Sequence, residues 1–202
     1  MFTGIIAATT KMHVSKQSPQ GLVLTFATPD GWDDLQVGES IATNGVCLTI
    51  TAIREHEYDC EVIPETLKRT SFGTSLPTKV NLERALSASG RLDGHFVQGH
   101  VDDIGTASDI NQDDGEHRLT ITINDPYRKL IVYKGSITID GVSLTIAAVE
   151  NSSFSVALIP HTLEHTTLGQ LAKGDTVNLE FDIIGKYVLN SVQPILTSHA
   201  SA

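Results

Sequence analysis

Apolar and polar residues follow one another along most of the chain in short runs that are typical of β-strands. GLVLTFA (residues 21–27) and HRLTITIN (residues 117–124) alternate or are rich in β-branched residues, and Gly, Pro or Asp residues bound them. SIATNGVCLTITAI (residues 40–53) contains two such runs separated by Asn44-Gly45, a dipeptide typical of a tight hairpin turn. The pattern therefore predicts a protein built mainly of short antiparallel strands.

Four stretches of the first half of the chain recur, in the same order, in the second half. They are TGII and QGHV (3–6 and 98–101), GVCLTI and GVSLTI (45–50 and 141–146), VIPETLKRTSFG and LIPHTLEHTTLG (62–73 and 158–169), and VNLE twice (80–83 and 177–180). A period this long that is present only twice indicates a duplicated domain and not a solenoid.

Each half contains about six predicted strands, and closing six strands into a barrel leaves no exposed strand edge. The sequence therefore predicts an all-β protein with one six-stranded antiparallel barrel in residues 1–94 and another in residues 95–186. The prolines at the start of PETLKRT and PHTLEHT predict one short helical turn in each half.

Residues 187–202 are predicted to form a C-terminal helical tail outside the two barrels. Val188, Val192 and Ile195 recur at helical spacing there, which suits packing on the chain's own barrel or against another subunit. Pro194 interrupts this stripe, so we expect the helix to be kinked or to start late.

Composition and charge exclude several classes of function. The net charge of −10 repels polyanions and argues against a nucleic acid partner, and DDGE (residues 113–116) is expected to be a solvated hairpin tip. No apolar run approaches the ~20 residues that cross a bilayer, and the N-terminus lacks the features of a signal peptide, so we expect a cytoplasmic protein. The two cysteines form no disulfide framework or zinc spacing, and no metal is predicted.

Cys47 and its counterpart Ser143 are the first candidates for chemistry. Alternation along a strand places Thr49 on the same face as Cys47, and Thr145 on the same face as Ser143. Such recurring polar side chains either line a cavity or simply bond to backbone groups.

His95 and His100 lie in GHFVQGH and are expected to face opposite sides of a strand, so that they would not share a metal ion. One interpretation is that backbone carbonyls satisfy both histidines at a domain junction. The other is that they transfer protons near neutral pH.

The two halves differ in charge at two further positions. Lys134 has no counterpart in the first half, where Val37 is taken as the equivalent residue, and His161 replaces Glu65. If both halves bind the same kind of molecule, they would bind it in different electronic environments.

The stretches MFTGII, NGVCLT, GHFVQGH, YKG, DGVSLTI and IPHTLEHTTLG resemble the riboflavin synthase family, and the resemblance covers residues 1 to about 187. It implies two six-stranded antiparallel Greek-key barrels with a short C-terminal helix, a homotrimer, and no cofactor. It further implies that two molecules of 6,7-dimethyl-8-ribityllumazine exchange a four-carbon unit to give riboflavin and 5-amino-6-ribitylaminouracil. The site would lie between the N-terminal barrel of one subunit and the C-terminal barrel of the next.

The resemblance also implies a set of site residues. His100 would carry the proton, Ser143 and Cys47 would stabilise the anion or the adduct, and His95 is a fourth catalytic candidate. The first pocket is expected to contain Gly4, Ile5, Ile6, Cys47, Leu48, Thr49, Glu61, Val62, Ile63, Pro64, Glu65 and Thr66. The second is expected to contain Gly99, His100, Val101, Lys134, Ser143, Leu144, Thr145, Ala157, Leu158, Ile159, Pro160, His161 and Thr162. Phe2, Ser40, Asp140 and Asp182 are expected to support them.

Two further expectations concern partners and the main rival function. The resemblance implies association with lumazine synthase of the same pathway. The alternative is a non-catalytic antenna protein that holds a lumazine or flavin in one half. Because QGHV, YKG and DGVSLT are all present in the second half, both pockets are expected to be intact, which favours the enzyme.

Overall fold

Two closed antiparallel β-barrels account for most of the computed structural model, which describes residues 1–113 and 116–199. The first barrel consists of β1 (Ala8–Ser18), β2 (Gly21–Ala27), β3 (Ser40–Thr43), β4 (Val46–Ile53), β5 (Glu57–Val62) and β6 (Lys79–Arg84), with α1 (Pro64–Arg69) between β5 and β6. The second consists of β7 (Asp103–Asp113), β8 (Glu116–Thr122), β9 (Ser136–Ile139), β10 (Val142–Val149), β11 (Ser153–Leu158) and β12 (Thr176–Phe181), with α2 (Pro160–His165) between β11 and β12, and α3 (Ile183–His199) follows.

The strands of both barrels are connected in the same order. The first ring runs β1-β2-β5-β4-β3-β6 and closes where β6 pairs with β1. The second runs β7-β8-β11-β10-β9-β12 and closes where β12 pairs with β7. The prediction of two duplicated six-stranded barrels is confirmed, as is the short helix that begins with a proline in each half.

Apolar side chains fill the interior of each barrel. In β4, the residues Val46, Leu48 and Ile50 are buried, while Cys47 and Thr49 between them point to the outer face. Phe26 and Tyr58 stack inside the first barrel, with ring centroids 5.1 Å apart. Because the interiors are packed in this way, the polar faces available to a ligand lie on the outer walls.

The two predicted hairpin turns meet at the junction between the barrels. Asn44 and Gly45 have φ values of 43° and 77°, and Asp140 and Gly141 have values of 46° and 79°, as a type I′ turn requires. A Cβ atom on Gly45 would lie 2.8 Å from the backbone nitrogen of Gly141, so only glycine allows the turns to approach so closely.

The C-terminal helix differs from the sequence prediction. α3 begins at Ile183 and continues past the position of Pro194, so the expectation that the helix starts late is wrong. A proline in the middle of a helix removes one hydrogen bond but does not prevent residues on both sides from being helical. The side chains of residues 193–199, including that of Ile195, lie outside the described part of the chain, and so do residues 114–115 of the predicted DDGE hairpin tip.

In the part of the chain that is described, no helix is both long enough and apolar enough to span a membrane. The domain limits at residues 94, 186 and 187 stay predictions.

Candidate functional site

Two segments that precede the barrels cross over and lie against the barrel of the other repeat. Residues 3–6 lead into β1 but lie against β10, where the N–H of Ser143 donates to the carbonyl of Gly4 at 2.7 Å. Residues 98–101 lead into β7 but lie against β4, where the N–H of Cys47 donates to the carbonyl of Gly99 at 2.8 Å. Each outer wall that carries Cys47 or Ser143 is therefore completed by residues of both repeats.

Glycine is required where each crossing segment touches its strand. Gly4 and Gly99 have φ values of 79° and 78°, a region that side chains disfavour. A Cβ atom on Gly4 would lie 2.6 Å from the Cβ of Ser143, and one on Gly99 would lie 2.6 Å from the Cβ of Cys47. Both segments are thus held at a distance that no other residue permits.

Two buried carboxylates hold the crossing segments in place. Glu180 accepts hydrogen bonds from the backbone N–H groups of Gln98 (2.7 Å), Gly99 (2.8 Å) and His100 (2.9 Å). Burial raises the pKa of Glu180, while those N–H donors and the charge of Lys186 act in the opposite direction.

Glu83 does the same for the other segment, accepting from the N–H groups of Thr3 (2.7 Å) and Gly4 (2.9 Å). Sequence reasoning missed both glutamates. The repeated VNLE was noticed only as evidence of duplication, although a charged residue within a strand that is otherwise buried was the available signal.

The first pocket has a volume of about 210 Å³ and lies on the outer wall of the first barrel. Its lining consists of Val46, Cys47, Glu65, Thr66, Arg69, Thr70, Gly99, His100 and Val101. The prediction grouped Gly4, Ile5 and Ile6 with Cys47, and this grouping is wrong. Because the segments cross over, Gly99, His100 and Val101 accompany Cys47.

The corresponding face of the second barrel is centred on Ser143. Gly4 lies against this residue, and Ile6 packs on the core of the same barrel. His95 is buried, and its Nδ1 atom lies 2.8 Å from Oγ of Ser143. Its Nε2 atom is also buried and has no hydrogen-bond partner among the described residues.

His95 is in an environment that favours its neutral form. Burial lowers the pKa of His95, and the negative charge of Asp182 opposes this shift in part. A neutral imidazole in contact with a hydroxyl is the arrangement of a general base and its nucleophile.

His95 and His100 therefore belong to different walls. The expectation that they lie on opposite faces of one strand is wrong, because residues 95–100 contain only a single bridge, Phe2 to Val97, and a bend at Gly99, and do not form a strand. His95 contacts the second barrel, whereas His100 lines the first pocket.

The remaining predicted residues divide by burial. Leu48, Val62 and Leu158 are buried in the barrel cores, and Leu144 is partly buried against one, so that only their backbone groups face a ligand on the outer wall. The more accessible ones are Ile5, Thr49, Glu61, Ile63, Pro64, Lys134, Thr145, Ala157, Ile159, Pro160, His161 and Thr162.

The equivalence of Lys134 and Val37 is wrong. The N–H of Lys134 donates to the carbonyl of Ile146, and the N–H of Gly38 donates to the carbonyl of Ile50, which is the equivalent isoleucine of the first repeat. Lys134 therefore corresponds to Gly38. Both residues have positive φ values, 63° for Lys134 and 94° for Gly38, and for lysine this conformation is strained.

The chain is similar in sequence to proteins of known function. The model of the lumazine-binding domain matches residues 3–85 and 98–182. The riboflavin synthase of Bacillus amyloliquefaciens is 42% identical over 93% of this chain and 88% of its own length. That of Schizosaccharomyces pombe is 39% identical over 96% of this chain and 94% of its own length. The chain belongs to the riboflavin synthase family.

Solved structures with the same fold include LumP complexed with riboflavin. That structure has a TM-score of 0.80 and 26% sequence identity, and the match covers 90% of this chain and 99% of LumP. The resemblance to the riboflavin synthase family is therefore confirmed by sequence, and the fold is shared with LumP.

A larger cleft of about 290 Å³ lies at the junction between the barrels of this riboflavin synthase family member. Asn44 and Asp140 of the two hairpin turns line it, together with polar residues that follow α1 and α2. Of the predicted site residues it contains only the supporting residue Asp140.

Proposed function

We propose that the chain is a riboflavin synthase, which converts two molecules of 6,7-dimethyl-8-ribityllumazine into riboflavin and 5-amino-6-ribitylaminouracil. The observation that carries the proposal is the pair of related outer walls around Cys47 and Ser143, in a chain of this family. A reaction between two identical molecules needs two similar sites. The products contain the same atoms as two substrate molecules, so the proposal includes no oxidant, metal or cofactor.

The two walls would bind the same ring system but treat it differently. The first offers the thiol of Cys47 and the ring of His100, and the second offers the hydroxyl of Ser143 and the ring of His95. One substrate must donate the four-carbon unit and the other must accept it, so this difference in polar groups suits the reaction. Holding two rings in register supplies several kcal/mol of catalysis by itself.

His100 is the residue we assign to proton transfer at the acidic C7 methyl group of one substrate, because the imidazole borders the first pocket. The contact between His95 and Ser143 suits the other task, which is activation of a nucleophile for attack at C7 of the second substrate. Cys47 would then stabilise charge beside His100.

The proposal includes a homotrimer in which the first wall of one subunit faces the second wall of its neighbour. α3 supports it, because Ile184, Tyr187 and Val188 are 57%, 69% and 57% exposed. A contiguous apolar patch of this kind marks an interaction surface. A cytoplasmic location and association with lumazine synthase complete the proposal.

The decisive experiment is incubation of the purified protein with 6,7-dimethyl-8-ribityllumazine alone, followed by separation of the products. We expect one riboflavin and one uracil product for every two substrate molecules. Ser143→Ala should lower turnover strongly while substrate binding persists, and Cys47→Ser, which copies the second repeat, tests whether the sulfur is needed. Tight fluorescent binding of the lumazine without any product would contradict the enzyme and support an antenna protein.

A further inference from the structure

α1 and α2 are equivalent helices that carry different pairs of side chains at the same two positions. In α1, Nε of Arg69 donates to Oε1 of Glu65 at 2.9 Å, one helical turn away. In α2 the same positions are His161 and His165, whose rings stack with centroids 4.1 Å apart and planes inclined by 25°. An ion pair in the first repeat is thus replaced by two imidazoles in the second.

The histidine pair has the residue spacing of a metal ligand set, and one of its rings makes a supporting hydrogen bond. Helical zinc sites commonly use two histidines four residues apart, because this spacing places both rings on one face of the helix. Nδ1 of His165 lies 2.9 Å from the carbonyl oxygen of His161, a contact in which the ring donates its Nδ1 proton and leaves the Nε2 lone pair free. Metal-bound histidines almost always make this second contact, because it fixes the tautomer and the ring orientation.

We propose that His161 and His165 together bind one divalent transition-metal ion, such as Zn²⁺, Ni²⁺ or Cu²⁺. Imidazole nitrogen suits these metals, whereas Mg²⁺ and Ca²⁺ prefer oxygen ligands. Both side chains are exposed, so an ion reaches them without any rearrangement. Among the described residues, no group of three or more His, Cys, Asp or Glu side chains is arranged around a metal, and water must complete the coordination. The site is therefore an exchangeable one and not a structural zinc site.

The test is calorimetric titration of the untagged, metal-free protein with zinc chloride at about pH 7.5, where free histidine is neutral. We expect one ion per chain. The double variant His161→Glu/His165→Arg, which rebuilds the ion pair of α1, should weaken zinc binding by at least about tenfold, the loss caused by removing even an outer-shell partner of a metal site. Magnesium chloride should give no binding.

Two controls make the result specific. His56→Gln removes a histidine whose side chain is 84% exposed on the first barrel, and it should leave zinc binding unchanged. Adding Glu65→His and Arg69→His to the double variant should restore binding, now on α1. Absence of zinc binding in the natural protein, or unchanged binding in the double variant, would overturn the proposal. Binding is measured directly, so the outcome does not depend on the proposed riboflavin synthase activity.

Discussion

Asn44 and Asp140 hold the same position in the two hairpin turns and differ in a single functional group. Oδ1 of Asn44 accepts from the N–H of Asn81 at 2.7 Å, and Oδ1 of Asp140 accepts from the N–H of Asn178 at 2.9 Å. Burial raises the pKa of Asp140 to about 7, and the hydrogen bond from Asn178 opposes this only in part. The first repeat has Asn44 at this position and therefore no ionisable group there.

We predict that Asp140→Asn removes a pH dependence of stability. Because the pKa of Asp140 is higher in the folded chain than in the unfolded one, the folded state binds more protons between about pH 4 and pH 7, and stability falls as the pH rises through this window. At pH 8, the free energy of unfolding of the variant should exceed that of the natural chain by up to about 4 kcal/mol, because each unit of pKa shift corresponds to about 1.4 kcal/mol. Urea unfolding at a series of pH values measures the difference, and a gain that is independent of pH would contradict the assignment.

Glu180 provides a second prediction for a single residue. Glu180→Gln keeps the size of the side chain but turns an amide NH₂ group toward backbone N–H donors, so we expect a loss of about 1–3 kcal/mol in the free energy of unfolding. Because His100 belongs to the segment that Glu180 holds, kcat for riboflavin formation should fall more than KM changes. Glu116→Gln, at an exposed glutamate, is the matched control and should leave kcat unchanged.

At the scale of elements, local patterns predicted what depends on local chemistry. Strand alternation correctly placed Cys47 with Thr49, and the Asn-Gly and Asp-Gly dipeptides correctly placed the hairpin turns. The crossing segments could not be predicted in this way, because residues 98–101 contact residues more than fifty positions earlier in the chain. The resemblance to the riboflavin synthase family supplied the candidate residues, but only the structure shows against which barrel the two crossing segments lie.

The crossing segment at Gly99 allows a matched test. Gly31 and Gly99 have nearly the same φ, 79° and 78°, but nothing lies within 4 Å of a Cβ atom on Gly31. Gly31→Ala should therefore lower the free energy of unfolding by about 1–2 kcal/mol, through backbone strain alone. Gly99→Ala adds a clash with Cys47 and should lower the free energy of unfolding clearly more than Gly31→Ala does. Chemical denaturation of both variants measures the difference. Equal costs would mean that the segment moves away from β4 without difficulty.

At the scale of the whole molecule, the repeat in the sequence correctly predicted two barrels of the same topology. It did not predict where α3 begins, because the residues after Asp182 have no counterpart in the first repeat and helical periodicity alone leaves the first turn undefined. The exposed apolar face of α3 is the surface on which the proposed trimer depends.

We predict that Val188→Glu prevents assembly of the proposed trimer. Val188 is 57% exposed, so the substitution should leave the fold of the single chain intact while placing a charge in the contact. Sedimentation velocity should show a smaller species, and riboflavin formation should fall with it if the site lies between subunits. Glu164→Gln, on the exposed side of α2, serves as the control and should sediment like the natural protein.

The reciprocal crossing of residues 3–6 and 98–101 has a meaning for the history of the chain. The segment that leads into each barrel packs on the other barrel, and the two segments accept equivalent backbone hydrogen bonds of 2.7 Å and 2.8 Å. This is the arrangement of a domain-swapped dimer. Without the connection between the barrels, the two halves would be arranged like two copies of a single-barrel ancestor that exchanged their N-termini. Gene fusion would then have made the exchange permanent, and would have freed the two copies to acquire different residues at positions such as 47 and 143.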